Sequence, residues 1–127
     1  MKKTSKLFKA LSDETRLRIL KLLEVRPLSV CEIQFVLKGS QPNVSHHLKT
    51  LSEAGLVESR RDGLWIIYRI TDHPETPVHA AALALLRRSL KQELVVKSDR
   101  AAIRGVNRVG ISLRKPVPSR PLRASAG

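Results

Sequence analysis

Two stretches of helical spacing joined only by Lys38-Gly39-Ser40, the second followed at once by a hairpin signal, constrain this chain more than anything else in it. In GSQPNVSHHLKTLSEAGL, residues 39–56, Val44, Leu48 and Leu51 recur at intervals of four and three, so one side of a short helix is apolar and packs inward. Ser40 is placed to cap that helix, Pro42 falls in a first turn where a missing N–H is no loss, and Gly55 stands where a left-handed C-terminal residue is wanted. Asn43, Ser45, His46 and Lys49 are then left to point outward.

Upstream, Leu7, Phe8 and Leu11 predict a first short helix. Ser12 before Asp13 and Glu14 predicts an N-cap followed by anions at the positive end of a helix, and Leu17, Ile19, Leu20, Leu22 and Leu23 give that second helix the broad apolar face of a central core element before Pro27 stops it. Ser29 and Glu32 fit a capping box. Ile33, Val36 and Leu37 then form one apolar side of a third helix, which Gly39 is expected to end. Downstream, VESRR and LWIIYRI flank Asp62-Gly63, a two-residue hairpin signal between β-branched and aromatic runs. Leu83, Leu86, Leu90 and Leu94 step by three, four and four along one stripe of a last helix that begins near Pro77, and the alanines at 80–82 allow close approach.

The pattern predicts a mainly α fold with a small β-hairpin, a winged helix-turn-helix. Such a unit lays its second motif helix in the major groove and runs the hairpin along the backbone. Asn43 suits a bidentate pair with adenine, Gln41 and Ser45 suit bases or phosphate, and Lys49 suits guanine or phosphate. Arg60 and Arg61, beside the turn, suit phosphate or a narrow minor groove. Charge agrees: 24 Lys and Arg against 11 Asp and Glu leave +13, which favours a polyanionic partner.

With 127 residues the chain has room for one modest domain, expected over 1–97, and an appendage. Residues 98–127 hold seven Arg or Lys, one Asp and three Pro with no aromatic residue, and predict a mobile basic tail that adds nonspecific phosphate attraction or only solubility. No apolar run approaches the roughly 18 residues of a spanning helix and no charged-then-apolar leader opens the chain, so no membrane partner and a cytoplasmic location are expected. No Ser-His-Asp order, carboxylate pair in a pocket signature, Gly-rich phosphate loop or zinc motif points to an enzyme.

The runs FKALSDETRLRILKLL, SQPNVSHHLKTLSEAGLV and RRDGLWIIYRI, between about Leu7 and Ile70, resemble the ArsR/SmtB family of bacterial metal- and metalloid-responsive repressors. The resemblance implies a homodimer through the first and last helices, with Leu7, Phe8, Leu83, Leu86, Leu90 and Leu94 as interface candidates. It implies a protein that occupies double-stranded operator DNA until an effector releases it, with Gln41, Asn43, Ser45, His46 and Lys49 on the recognition helix and Arg61 to Gly63 on the wing.

The effector is less legible. In arsenic-sensing members the third helix opens with Cys-Val-Cys and often a further Cys; here those places read Ser29, Cys31 and Gln34. Arsenite and other soft ions want two or three thiolates, and the chain has one cysteine, so the complete thiolate site is not present. A metalloid using Cys31 with outside ligands, a small organic molecule, a single-thiol sensor whose pKa the helix N-terminus lowers, or a merely structural Cys31 all remain open. The family's other site, on the last helix, is matched by Asp72 alone, since Pro74, Leu85 and Arg88 stand where further ligands belong. Asp72, His73, Glu75 and His79 offer a different cluster or a plain polar loop before that helix. His46 and His47 are adjacent, about 100° apart on a helix, and cannot chelate one ion from one face; His46 suits DNA, and His47 suits helix packing or phosphate. No metal site is assigned. The rival reading is a chromosome-coating protein that binds nucleic acid without sequence preference.

Overall fold

The computed structural model describes residues 1–114. In chain order the elements are α1 (Lys2–Leu11), α2 (Glu14–Leu23), β1 (Leu28–Ser29), α3 (Val30–Leu37), α4 (Gln41–Glu53), β2 (Val57–Asp62), β3 (Trp65–Ile70), α5 (Pro77–Arg88), α6 (Leu94–Arg104) and α7 (Arg108–Arg114).

Helix starts follow their capping chemistry. Ser29 Oγ accepts from Glu32 N while the Glu32 carboxylate accepts from Ser29 N at 2.8 Å, closing the expected box. Ser40 caps α4 through Asn43 N, with Pro42 in the first turn. The start of α2 lies one residue later than expected: Asp13, not Ser12, is the cap, its Oδ2 accepting from Arg16 N at 3.0 Å. Ser12 closes α1 instead, with both its N–H and its hydroxyl donating to Lys9 O. A second shift occurs at the end of α3. The left-handed residue there is Lys38, at φ 59°, rather than Gly39, and its N–H donates to Gln34 O to close the helix.

The hairpin pairs Val57 with Ile70 through to Asp62 with Trp65, so Gly63 and Leu64, not Asp62 and Gly63, make the turn. Gly63 at φ 61° is the residue with positive φ there, as a type II′ turn requires at its first central position. β3 is the middle strand of three: β1, two residues long and unforeseen, pairs Leu28 with Tyr68 and Ser29 with Ile67. The core joins α1 to α4 with one face of the hairpin, through Leu7, Ile19, Leu20, Ile33, Val44, Leu48, Leu51, Leu56 and Tyr68 among others.

The C-terminal third departs most from expectation. The leucine stripe from Leu83 to Leu94 is not one helix: α5 ends at Arg88, Leu90 takes a left-handed φ of 65°, and α6 starts at Leu94. Nor do residues 98–114 form a tail. They continue α6 and build α7, with Val96, Asp99, Ile103 and Ile111 buried. Asp99 binds Arg18 of α2 in two places, Arg100 binds Glu24 at 2.6 Å, and Arg26 donates to Val106 O. A domain boundary at 97 would therefore cut through a packed helix. The rest of the expected tail, 115–127, lies outside the described residues. Among the described residues no helix is long and apolar enough to cross a membrane.

Candidate nucleic-acid interface

α4 is held by its apolar side. Val44, Leu48 and Leu51 are buried, and the arc opposite them carries Asn43, His46 and Lys49, all exposed. Gln41 and Ser45 flank that arc half-buried and are tied to each other, Gln41 Nε2 donating to Ser45 Oγ at 2.8 Å. The first turn of α4 contains no acidic residue, so its free N–H groups form an unopposed positive end. The five residues expected on a reading face are thus brought onto one helix, three fully presented and two braced at its start.

Arg60 and Arg61 are both exposed on β2, but consecutive strand residues face opposite ways. Arg61 shares its face with Ser59 and Tyr68, and Arg60 shares the other with Ile67, so the pair straddles the hairpin. At the tip itself, Leu64 is 84% exposed. The α7 segment braces the wing from behind. Arg108 stands 5.8 Å from the Trp65 ring centroid, 3.9 Å from Asp62 Oδ2 and 3.2 Å from the fully buried Glu32 of α3. Nothing local in the sequence marks Arg108, because each of its partners is tens of residues away.

Of the interface candidates, Leu7, Leu83 and Leu86 are buried in the chain's own core and Leu90 packs against it. They cannot also form a free surface. Phe8 at 56% and Leu94 at 83% stay exposed, and Val78 and Leu85, which the stripe did not include, are exposed on α5.

Cys31 is half-buried in the first turn of α3, its Sγ 3.1 Å from Ser29 Oγ. Burial pushes its thiol up from the ordinary value, and the neighbouring Glu32 carboxylate adds to this, outweighing the Ser29 hydrogen bond and the Arg108 charge. Of the readings left open for Cys31, a thiol made acidic by the helix N-terminus is the one that this burial works against. The polar residues before α5 do not gather as one group. Glu75 pairs with Lys3 at 2.6 Å, and His79 is buried against Ala54 O and Thr76. Asp72 and His73 instead meet Glu58, with ligand atoms within 4.8 Å of one another. The Arg69 guanidinium already bridges both carboxylates, at 2.8 Å from Glu58 and 3.3 Å from Asp72, and offsets part of their charge without an ion.

Helices α2 to α4 with the short α3–α4 turn, followed by a projecting hairpin, define a winged helix-turn-helix DNA-binding domain. Comparison with known proteins places it further. The family described as bacterial regulatory protein, arsR family, matches residues 13–59. An uncharacterized HTH-type transcriptional regulator of Methanocaldococcus jannaschii is 49% identical over 71 residues, covering 55% of this chain and 80% of that protein. The arsenical resistance operon repressor of Escherichia coli is 48% identical over 68 residues, 53% of this chain and 58% of the repressor, so the chain spans little more than half of that relative. Among solved structures, the homodimeric winged helix-turn-helix domain Mb0332 from Mycobacterium bovis, a possible ArsR-family regulator, superposes with a TM-score of 0.58 at 31% identity, over 68% of this chain and 77% of that one. The chain belongs to the ArsR family and is a DNA-binding transcriptional regulator.

Proposed function

We propose that the protein is a cytoplasmic repressor that binds a partly palindromic duplex site as a homodimer, placing one α4 in each of two successive major grooves about 34 Å apart. The observation that carries this reading is the split of α4 into a buried Val44–Leu48–Leu51 side and an exposed Asn43–His46–Lys49 side. In it Asn43, Gln41 and Ser45 read base edges or adjacent phosphates, Lys49 and His46 extend the contact, and Arg60 and Arg61 grip the backbone from the two faces of the wing. The second subunit covers Phe8 of α1 with Val78 and Leu85 of α5, apolar side chains that a monomer leaves in water.

Release from DNA requires an effector that binds the DNA-incompetent dimer more tightly, with a coupling of about 1–3 kcal/mol. Cys31 alone does not make a closed site for a soft ion, so a metalloid would need further ligands from outside the chain. The test is a mobility shift with the full chain on duplexes selected from a random pool and on unselected duplexes, repeated with arsenite, zinc and persulfide. Tight binding confined to selected duplexes supports the repressor. Equal affinity for both pools establishes the nonspecific coating protein instead.

A further inference from the structure

One cluster of titratable groups next to the reading face has no part in the contacts above. Arg16, in the first turn of α2, spends its guanidinium in three directions. Nε donates to Ala10 O at 2.8 Å, satisfying a carbonyl that the end of α1 leaves open, and Nη2 donates at 3.2 Å to Lys9 O, which Ser12 also serves. Nη1 lies 3.1 Å from Nδ1 of His47 on α4. Asp13, which caps α2, places Oδ2 3.9 Å from the same ring nitrogen. His47 is thus the side chain through which α4 is bonded to the corner between α1 and α2, and it keeps only 12% of its exposure.

A guanidinium has no acceptor and does not lose a proton in any ordinary buffer, so the hydrogen bond fixes the chemical state of its partner. His47 Nδ1 accepts, and the ring is the neutral tautomer with its proton on Nε2. We propose that the Arg16–His47 pair is a positioning device for the recognition helix, and that protonating His47 releases it, so that sequence-specific binding weakens in mild acid. This rests on the reading of α4 as the DNA-reading helix.

The physical steps are short. A proton on Nδ1 sets two donors and two positive charges face to face at 3.1 Å, so the pair must separate. Asp13 offsets part of that repulsion, but its oxygen already serves the Arg16 amide. Burial, the first cause, holds His47 below its ordinary value, Arg16 and His46 push the same way, and Asp13 opposes them. The other group on α4 facing this ring is His46, with centroids 5.9 Å apart. A loosened α4 loses base contacts before phosphate contacts, because base edges demand placement within about 0.5 Å whereas phosphate attraction tolerates displacement. His46 lies exposed on the reading face beside this ring, so its own part in DNA binding has to be taken out of the measurement.

The test uses the full chain carrying His46→Gln, with fluorescence anisotropy on one duplex selected by the protein and one scrambled duplex, from about pH 7.5 to about pH 5.5. The expected result is roughly a tenfold fall in the ratio of specific to scrambled affinity across that range. Adding His47→Gln supplies an acceptor for Arg16 that does not titrate, so affinity stays within about threefold at the upper pH and the ratio becomes flat. The same pH slope with His47→Gln overturns the inference. Imidazole ¹⁵N spectra of the DNA-free protein give an independent readout: an unprotonated Nδ1 on His47 with a midpoint below 6.5 supports the pair, and an Nδ1–H tautomer removes it. If no duplex is selected at all, the reading of α4 itself fails, whatever the tautomer.

Discussion

Asp99 and Arg18, 81 residues apart, form a two-armed ion pair in which Oδ2 meets Nε and Oδ1 meets Nη2, each at 2.9 Å. Asp99 is nearly buried and Arg18 mostly so, which makes this the lock that holds α6 on α2. Asp99→Ala strips two charge-assisted bonds and leaves a guanidinium partly desolvated, so it is expected to destabilise the fold by about 1.5–3 kcal/mol. Urea unfolding followed by circular dichroism measures this. An unchanged midpoint would mean that α6 does not dock in solution.

Base reading and backbone grip separate by mutation. Asn43→Ala is expected to cost roughly 1–3 kcal/mol against the selected duplex and to relax preference at one position, with little change on scrambled DNA. Arg61→Ala is expected to weaken both duplexes alike and to lower the salt slope by about one. Titrations at several salt concentrations distinguish them, and a uniform loss for Asn43→Ala would remove it from the base edges.

Lys38 holds a left-handed φ of 59° at the end of α3, a conformation that costs an L-residue roughly 1–2 kcal/mol and glycine little. Part of that is returned by the greater freedom of glycine in the unfolded chain. Lys38→Gly is therefore expected to stabilise the protein by about 0.5–1 kcal/mol, seen as a higher thermal midpoint. A lower midpoint would show that the lysine side chain contributes more to the helix-turn-helix than its backbone costs.

Elements whose signals lie within a few residues were legible in the sequence: the Ser29–Glu32 box, the Ser40 cap, Gly55 at φ 78°, and the apolar side of α4 that leaves the reading face outward. A shift of one residue arose where two neighbours offered the same chemistry, as with Ser12 and Asp13, whereas at the end of α3 the left-handed turn falls on Lys38 against its own preference, with Gly39 next to it. The errors grew with distance along the chain. Leucine spacing carries no sign that Leu90 adopts a positive φ, and a basic stretch reads as a tail until Glu24, Glu32 and Asp99 are seen to neutralise Arg100, Arg108 and Arg18. The Arg16–His47 contact was hidden for the same reason, since 31 residues separate its halves.

Cys31 is expected to be a sluggish nucleophile. Burial and Glu32 raise its pKa, so little thiolate exists at neutral pH. Alkylation by iodoacetamide should be slow near pH 7 and should level off at a higher pH than that of a free thiol measured alongside. Rapid labelling at neutral pH would instead indicate a thiol poised for sensing.

Asp13 carries a prediction whose sign follows from its cap. Its carboxyl sits below the ordinary 3.8, chiefly because the Arg16 amide donates to the ionised form, with the Arg16 and His47 charges adding to this against desolvation. A carboxylate with a depressed pKa contributes stability that is complete above its unfolded value and is lost as pH falls through its folded value. The Asp13 share is therefore expected to be constant at neutral pH and to disappear only in acid below about pH 4. Asp13→Ala removes the cap at every pH and is expected to cost about 1 kcal/mol at pH 7. Asp13→Asn keeps a capping oxygen that does not titrate, so it should match the wild type closely at pH 7 while shedding part of the acid sensitivity. Unfolding free energies measured from pH 7 down to pH 3 test both substitutions, and an Asn variant with an unaltered acid limb would show that other carboxylates, not this cap, set the response.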